Sequence, residues 1–288
     1  MAGIEVRDAG PGDLPAIAAV TRATGQEEEW SGADPAYVTH LLTHGRVVVA
    51  VRDGEVAGFG ATRQIGGPGA VSMLCDLFVD PRLHGAGAGR AMLSELWRDG
   101  GSRITFSSLH AHALPLYTSF GLDAWWPLFY LHGDVTALSA PAGWHVAPAE
   151  PDDVAALELS WTGADRSADH RAWARRPGGT SLLVRRGDRV TGAGTAGGAG
   201  DEFGLTHLVL APAADDSDAV ATVLTALTAL AGEGGTARSE ALVCLPAPHP
   251  AVRALLGAGW RTSEFDLFMA TEPGLVDPRR TVPSPALA

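Results

Sequence analysis

Alternating glycines stand between a short apolar run and a predicted helix, and they are the residues best suited to hold an anion. The segment reads Val79-Asp80-Pro81-Arg82-Leu83-His84-Gly85-Ala86-Gly87-Ala88-Gly89-Arg90, and the helix is predicted over Ala91–Arg98. Because glycine has no Cβ, Gly85, Gly87 and Gly89 allow several backbone N–H groups to face one point. The start of the helix adds the positive end of its dipole, so the spacing predicts a cradle for a pyrophosphate.

The position of these glycines argues against two common nucleotide sites. A dinucleotide-binding fold has G-x-G-x-x-G after its first strand, whereas here the glycines fall at every second position deep inside a domain. A nucleotide triphosphate loop needs Gly-Lys followed by Ser or Thr, and the 288 residues include no lysine. The pyrophosphate is therefore expected to belong to neither NAD nor ATP.

The loop resembles the coenzyme A loop of the GNAT acetyltransferase superfamily, V-x-P-x-x-(Q/R)-x-x-G-x-(G/A). Val79, Pro81, Gly87 and Gly89 match this pattern, while His84 stands where it has Gln or Arg. The resemblance implies acetyl-CoA as a co-substrate and an oxyanion donor among the backbone N–H groups around Phe78 or Val79. It implies these contacts with the co-substrate: Leu77, Phe78, Val79, His84, Gly85, Ala86, Gly87, Ala88, Gly89, Arg90 and His110.

A second stretch resembles the superfamily pattern A-x-x-hydrophobic-Tyr-x-x-x-Gly-aromatic. It reads Ala113-Leu114-Pro115-Leu116-Tyr117-Thr118-Ser119-Phe120-Gly121-Leu122. The resemblance implies that Tyr117 is the general acid, since a phenol of pKa about 10 can protonate a departing thiolate whose thiol has a pKa of about 8.5. The alternative is a core tyrosine with a satisfied hydroxyl.

The general base is less evident, because the strand before the tyrosine helix offers only hydroxyls. Many GNAT enzymes have a carboxylate there, but Ile104–Ser108 contains none. Asp76 is a candidate if it is buried near the cleft, since burial raises the pKa of a carboxyl. His112, like His110 beside it, can accept a proton near neutral pH. Structural roles for these residues, and a chain of water molecules as the base, remain open.

The composition of the chain limits the kinds of partner that it is expected to bind. The chain is 46% hydrophobic, 19% charged and carries a net charge of −12, which suits a globular protein and leaves no basic footprint for nucleic acid. No apolar segment is long enough for a membrane span. Cys75 and Cys244 lie in apolar runs and are expected to be two buried free thiols, which suits a reducing compartment. A cytoplasmic protein without membrane contact is therefore predicted. No metal site is predicted, and a homodimer is left possible.

The chain reads as a divergent repeat. Residues 6–17 (VRDAGPGDLPAI) correspond to residues 146–157 (VAPAEPDDVAAL), and further correspondences follow in the same order. The predicted helices and strands of each half follow the order found in the GNAT fold. The resemblance therefore implies an α/β (α+β) fold class: tandem GNAT folds, each a central twisted mixed sheet flanked by helices. We expect a catalytic domain over residues 1–140, a second copy over 141–271 and a disordered tail over 272–288. Asp215, Asp216 and Asp218 replace the glycine loop in the second copy, which predicts that it is degenerate.

The reaction implied by the resemblance is N-acyl transfer, with acetyl passing from acetyl-CoA to a small-molecule amine that attacks directly in a ternary complex. The segment Gln26–Tyr37, including Glu27, Glu28, Glu29 and Trp30, and the aromatic residues Trp125, Trp126, Phe129 and Tyr130 are expected to select the amine. Two alternatives stay open: a non-catalytic acyl-CoA sensor, favoured by the missing carboxylate and by His84, and a GNAT-fold malonyl-thioester decarboxylase.

Overall fold

The structure, a computed structural model, describes residues 3–25, 32–66, 70–198, 203–231 and 239–287. These residues form two compact units. The first unit contains the chain up to Asp123 together with Met269–Glu272, and the second contains Ala124–Phe268 together with Pro273–Ala286.

The first unit is a five-stranded sheet with helices, in the order β1-β2-β3-β4-β5. Strands β1 to β4 are antiparallel neighbours and β5 runs parallel to β4. The elements are β1 (Glu5–Asp8), α1 (Leu14–Ala23), α2 (Pro35–His44), β2 (Gly45–Arg52), β3 (Glu55–Ile65), β4 (Val71–Val79), α3 (Ala88–Leu96), β5 (Arg103–Ser107) and α4 (Ala113–Thr118). The strand predicted over Ile104–Ser108 agrees with β5 to within one residue at each end.

Helix α2 was missed in the sequence, although its start carries a recognisable signal. The carboxylate of Asp34 accepts a hydrogen bond of 2.9 Å from the backbone N–H of Ala36, and Pro35 occupies the first helical position. An N-cap aspartate followed by proline is a common way to begin a helix. Tyr37, Val38 and Leu41 bury one side of α2, which fixes the helix against the sheet.

The β2–β3 hairpin illustrates how local residues set the register of this sheet. Asp53 and Gly54 have φ values of 53° and 84°, the left-handed conformation of both central positions in a type I′ turn. The strands that follow pair from Arg52 with Glu55 to Gly45 with Arg63. Valines 47–49 and Phe59 are fully or almost fully buried on this hairpin. The hairpin therefore forms the apolar centre that supports β4.

The strands of the second unit follow the order β12-β6-β11-β10-β9-β8-β7, with β13 paired to β10. Its elements are β6 (Asp123–Asp134), β7 (Trp144–Ala149), α5 (Pro151–Thr162), α6 (Ser167–Ala174), β8 (Thr180–Arg186), β9 (Arg189–Gly197), β10 (Gly204–Leu210), α7 (Asp216–Leu230), β11 (Glu240–Pro246), α8 (Ala251–Gly257), β12 (Arg261–Ala270) and β13 (Thr281–Val282). Its core packs residues such as Leu208, Val223, Leu227 and Val282 together.

The elements repeat in one order, β-α-α-β-β-β-α-β-α-β, first from β1 to β6 and again from β7 to β12. We call these the first and second copies. The compact units divide differently from the predicted boundary at residue 140, because β6 of the first copy belongs to the second unit, where it pairs with β11. Thr271, just after β12, lies in the first unit and exchanges two hydrogen bonds of 3.0 Å with the backbone of Arg103.

The tail differs from the disorder predicted for residues 272–288. Thr281 and Val282 form β13, and the side chain of Val282 is fully buried in the core of the second unit. The four prolines that suggested disorder lie around this short strand, where proline costs no ladder hydrogen bond. The apolar burial of Val282 accounts for an ordered tail.

Two smaller observations bear on the predicted environment. Cys75 and Cys244 are both thiols outside any disulfide. Cys244 is buried as predicted, whereas Cys75, at a β-bulge of β4, is only half-buried. Among the helices of the described ranges, none combines the length and the apolar character needed to cross a bilayer.

Candidate active site

A cavity of about 790 Å³ in the first unit collects most of the predicted site residues. It lies beside the end of β4, the glycine loop, the segment after β5 and helix α4. Its lining consists of Ala23, Thr24, Leu77, Phe78, Val79, Pro81, Leu83, His84, Gly85, Gly87, Gly89, Arg90, Ser108, His110, His112, Ala113, Pro115, Leu116 and Tyr117. Residues separated by about 40 positions in the chain thus share one space.

The floor of the cavity is an open edge of β4. Strand β5 pairs with β4 only from Ser72 to Leu74, so the last residues of β4 continue beyond the pairing. On the opposite edge, the N–H of Asp80 donates to the carbonyl of Ala57 at 2.9 Å. Neighbouring strand residues direct their backbone groups to opposite edges. Of the two predicted oxyanion donors, the N–H of Val79 therefore faces the open edge, whereas that of Phe78 faces β3.

The glycine loop turns the chain sharply from β4 into α3. Gly85 and Gly87 have φ values of 79° and 90°, which side chains with a Cβ rarely adopt. Gly87 is the N-cap, so α3 begins at Ala88 rather than at the predicted Ala91 and ends at Leu96 rather than Arg98. The earlier start brings the first-turn N–H groups of α3 next to the cavity. Such a helix start is a ready binding place for phosphate oxygens.

Gly89 has a different role, because it lets α3 approach α4 closely. A Cβ built on Gly89 would lie 3.3 Å from Cδ2 of Leu116, tighter than most contacts of real side chains. The backbone at Gly89 is itself part of the cavity wall. The three alternating glycines therefore have two different roles. Gly85 and Gly87 allow the turn, and Gly89 allows the close packing of the helices that flank the cavity.

Three histidines meet at the mouth of the cavity. The ring centroids of His84 and His110 are 5.6 Å apart, those of His84 and His112 are 6.0 Å apart, and those of His110 and His112 are 5.4 Å apart. Nε2 of His84 also lies 3.0 Å from the carbonyl oxygen of Val79. All three rings are exposed, so they offer ring N–H groups to an anion that enters the cavity. The sequence predicted these residues singly but not their clustering.

Tyr117 lies in the last turn of α4 and is 8% exposed. It shares the cavity with Val79 and the glycine loop, as the pattern around it predicted. The turn after the helix is closed by Gly121, whose φ is 83°, and by a hydrogen bond of 3.3 Å from the N–H of Leu122 to the carbonyl of Tyr117. A phenol in this position can approach a thioester held along the β4 edge.

Asp76 is buried but does not line the cavity. Its carboxyl accepts a 2.8 Å hydrogen bond from the hydroxyl of Tyr37 on α2. Burial raises the pKa of Asp76 to about 7, although the bond from Tyr37 opposes the shift. The contact links β4 to α2. Its suggested role as a base remains a prediction, and the geometry shows a carboxyl that holds a helix on the strand.

Of the remaining residues that the sequence suggested for the site, those that the structure describes are not part of the cavity lining. Ala86 is exposed and Ala88 is buried at the start of α3, and the cavity lining includes neither. Trp125, Trp126, Phe129 and Tyr130 belong to the second unit, where Trp126 stacks on Phe268 and the Tyr130 hydroxyl donates to Asp266. Tyr37 is buried on α2. Gln26, Glu27, Glu28, Glu29 and Trp30 lie outside the described residues.

Sequence reasoning missed several lining residues. Ala23 and Thr24 come from the end of α1, and Ser108 follows β5. The end of an amphipathic helix carries no functional signal in a single sequence. Ser108 was visible in the predicted strand that lacks a carboxylate, and it lines the same cavity as His110.

The second unit contains a buried cluster of ionisable residues. Glu158 accepts hydrogen bonds from Nε2 of His170 at 2.7 Å and from Nε2 of His207 at 3.0 Å, and Nε of Arg166 lies 3.1 Å from Oε1. Burial alone would raise the pKa of Glu158, but the histidines and Arg166 outweigh it and hold this pKa well below its usual range. The ligand atoms of Glu158, His170 and His207 lie within 4.8 Å of one another, close enough for a metal ion. The guanidinium beside the same carboxylate supplies the positive charge instead, so the cluster is best described as an ion network.

Comparisons with known proteins agree with this geometry. Residues 43–121 match the model of the acetyltransferase (GNAT) domain. No curated protein matches the chain in sequence. Among solved structures, a putative acetyltransferase from Pyrococcus horikoshii is 16% identical with a TM-score of 0.69, covering 99% of this chain and 95% of that one. A GCN5-related N-acetyltransferase from Sphaerobacter thermophilus is 16% identical with a TM-score of 0.60, covering 96% and 98%.

A tandem GNAT protein from the clavulanic acid biosynthesis pathway is 15% identical with a TM-score of 0.62, and the match covers 95% of this chain and all of that one. At these identities the likeness shows the fold over almost the whole length. It agrees with the repeated order of elements in the two copies.

Proposed function

We propose that the first unit, whose residues 43–121 match the model of the acetyltransferase (GNAT) domain, transfers acetyl from acetyl-CoA to the amine of a small molecule. The observation that carries the proposal is that the open edge of β4, the start of α3 and Tyr117 all face one cavity. An acyl donor with a diphosphate at one end and a thioester at the other requires these three groups along one path.

The anion end of the donor fits the loop side of the cavity. Gly87 in the left-handed conformation starts α3, whose first N–H groups have no acceptor within the helix. His84, His110 and Arg90 add side-chain donors on the same side. A side chain at Gly85 or Gly87 would strain the turn that creates this place. The residues present therefore fit a diphosphate.

The thioester end fits the open edge of β4. The N–H of Val79 faces that edge, where it can donate to the carbonyl oxygen of a thioester and to the oxyanion that forms during attack. A fixed backbone donor stabilises this charge without having to reorganise. Removing one such donor costs other enzymes about 10²–10³ in rate. Because this donor is a backbone N–H, no side-chain substitution removes it, and its role has to be tested through the side chains that line the cavity around it.

Tyr117 supplies the proton that completes the transfer. The amine nitrogen forms the new C–N bond, the C–S bond breaks, and the sulfur leaves as a thiolate that takes the phenolic proton. The nitrogen loses a proton to solvent through a water chain or to His110 or His112, both of which line the cavity. The products are an amide and free CoA, and the phenol regains its proton from solvent.

Turnover and binding measured together test the proposal. Calorimetry with acetyl-CoA should give saturable binding, and release of free thiol over a panel of small amines should identify an acceptor. Tyr117→Phe should lower kcat by about 10²-fold or more, in the range of general acid catalysis, with little change in acetyl-CoA affinity. Ser160→Ala is the control, because it also removes a hydroxyl, and Ser160 is exposed on α5 of the second unit and is not part of the cavity lining.

The other outcomes separate the alternatives. Binding of acetyl-CoA with no thiol release on any amine would favour an acyl-CoA sensor. Loss of carbon dioxide from malonyl-CoA without an amine would favour the decarboxylase. Unchanged turnover in Tyr117→Phe would remove Tyr117 as the acid while leaving the binding site in place.

A further inference from the structure

The two copies share a β-bulge that aligns them residue by residue. In the first copy, Leu74 pairs with Thr62 and Asp76 with Ala61, so Cys75 is the bulged residue. In the second copy, Leu205 pairs with Ala196 and His207 with Thr195, so Thr206 is the bulged residue. Bulges are fixed features that re-aim the strand that follows. Counting from the bulge, Leu210 is the counterpart of Val79.

Independent contacts support this alignment. The N–H of Asp80 donates to Ala57 at 2.9 Å, and the N–H of Ala211, next after Leu210, donates to Thr191 at 2.9 Å. The parallel pairing with the following strand also ends at equivalent residues, Leu74 in the first copy and Leu205 in the second. Both copies therefore leave the same edge of their central strand without a neighbouring parallel strand.

In the second copy this edge is covered by the tail of the chain. Leu208 pairs with Val282 and Val209 with Thr281, in antiparallel register. The N–H of Leu210 donates to the carbonyl of Arg280 at 2.9 Å. The counterpart of the Val79 N–H thus already has a carbonyl acceptor, which comes from a peptide of the same chain.

The loop of the second copy has the opposite polarity from the glycine loop. The guanidinium of Arg280 donates to the carbonyls of Ala214, at 2.8 Å, and of Pro212. The guanidinium of Arg279 lies 2.5 Å from the carboxylate of Asp216 at the start of α7. The glycine loop of the first copy presents N–H groups, which would attract an anion. The equivalent loop of the second copy presents carbonyls and a carboxylate, which contact two arginines. Val282 adds a fully buried side chain.

We propose that the second copy is a peptide-strand site whose resident ligand is the segment Arg279–Val282 of the same chain. The cleft accepts an extended strand bearing arginine through backbone pairing on the β10 edge and through the loop that replaces the glycines. It is closed to acyl-CoA, so one chain binds one acyl-CoA. This last consequence rests on the proposed function, whereas the seating of the tail does not.

The number of acyl-CoA sites is measured on the intact chain. Calorimetry with acetyl-CoA should give one site per chain. Two sites per chain would overturn the inference and still support acyl-CoA binding by the first unit. No binding at all would contradict the proposed function. The seating of the tail on the β10 edge would then be tested by the peptide experiment alone.

The peptide experiment uses a chain that ends at Val276. A fluorescent peptide of residues 277–288 should bind this chain saturably in an anisotropy titration, and the same peptide with Arg280→Glu should bind at least about tenfold more weakly, which corresponds to about 1.4 kcal/mol. Equal binding of the two peptides, or no binding to a folded truncated chain, would overturn the inference.

A full-length pair keeps the test decisive if the shortened chain does not fold. Arg280→Glu should lower the thermal midpoint by several degrees, because it places a carboxylate against the carbonyls of the loop. Arg253→Glu, on the exposed side of α8, should not. Acetyl-CoA affinity should be unchanged in both. Equal midpoints for the two variants would show that Arg280 does not anchor the tail.

Discussion

Nε2 of His84 lies 3.0 Å from the carbonyl oxygen of Val79, so one imidazole joins the glycine loop to the end of β4. Both residues line the cavity, His84 on the side of the glycine loop and Val79 at the end of β4. The backbone of Val79 offers its N–H to the open edge and its carbonyl to His84. This hydrogen bond therefore ties the glycine loop to the end of β4 at the turn between them.

Replacing His84 tests this connection. His84→Ala should weaken acetyl-CoA binding about fivefold, the effect of losing a hydrogen bond worth about 1 kcal/mol, while kcat at saturation changes little. His84→Arg introduces a residue of the resembled pattern and should bind at least as tightly as the parent chain. His145→Ala, an exposed histidine of β7, is the control. Full affinity in His84→Ala would show that the ring has no part in binding.

The left-handed conformation of Gly87 predicts a strong effect of a side chain there. Gly87→Val should raise the Kd for acetyl-CoA at least about tenfold, because a left-handed backbone costs a residue with a Cβ about 1–2 kcal/mol and the loop will move to relieve the strain. Gly100→Val is a matched control, since Gly100 has a φ of 73° and equally open space but is not part of the cavity lining. If both variants bind alike, the loop is only a turn.

The raised pKa of Asp76 predicts a pH dependence of stability. Its folded pKa of about 7 lies above the ordinary value of 3.8, so the stabilisation is full below pH 4 and is lost as the pH rises through 7. Asp76→Asn keeps an acceptor for Tyr37 but does not titrate. Relative to the parent chain, this variant should gain roughly 2–3 kcal/mol of stability between pH 5 and pH 8, at about 1.4 kcal/mol per pH unit.

Denaturant unfolding at both pH values measures this difference. Asp134→Asn is the control, because Asp134 is exposed and its pKa is lowered by hydrogen bonds from Thr136. A lowered pKa affects stability only on acidification, so this variant should not change its difference from the parent between pH 5 and pH 8. The same constant difference in Asp76→Asn would show that Asp76 is ionised in the folded protein.

Glu158 should show the opposite dependence. Its folded pKa is depressed, so its contribution is present above the unfolded pKa and is lost only as the pH falls below about 4.5. Glu158→Gln should cost about 3–5 kcal/mol at pH 7, because it leaves the buried guanidinium of Arg166 without its nearest carboxylate. The thermal midpoint measures the loss, with the exposed Glu240→Gln as control. A loss no larger than that of the control would mean that water replaces the carboxylate.

Local features of the site could be predicted from the sequence with good accuracy. The glycine loop, Tyr117 and the histidines fall where short patterns indicated, since turn geometry and helix starts depend on a few adjacent residues. The start of α3 was misplaced by three residues because Gly87 acts as an N-cap in the left-handed conformation. Helix α2 was missed although Asp34 and Pro35 mark its start.

Non-local features could not be predicted. The contact of Asp76 with Tyr37 joins residues far apart in the sequence, and no pattern in either segment announces it. The membership of β6 in the second unit leaves no local trace, because a strand has the same alternation of residues whichever neighbour it pairs with. The tail was expected to be disordered because its prolines are a local property, whereas the burial of Val282 is not.

The sequence by itself determined the repeat, the glycine loop and the residue types at the site, because these depend on the order and spacing of neighbouring residues. The tertiary structure alone decided which edge of β4 stays open and that the equivalent edge of β10 is taken by Thr281 and Val282. Strand edges are completed by whichever segment buries its side chains best, and that choice is made among distant parts of the chain.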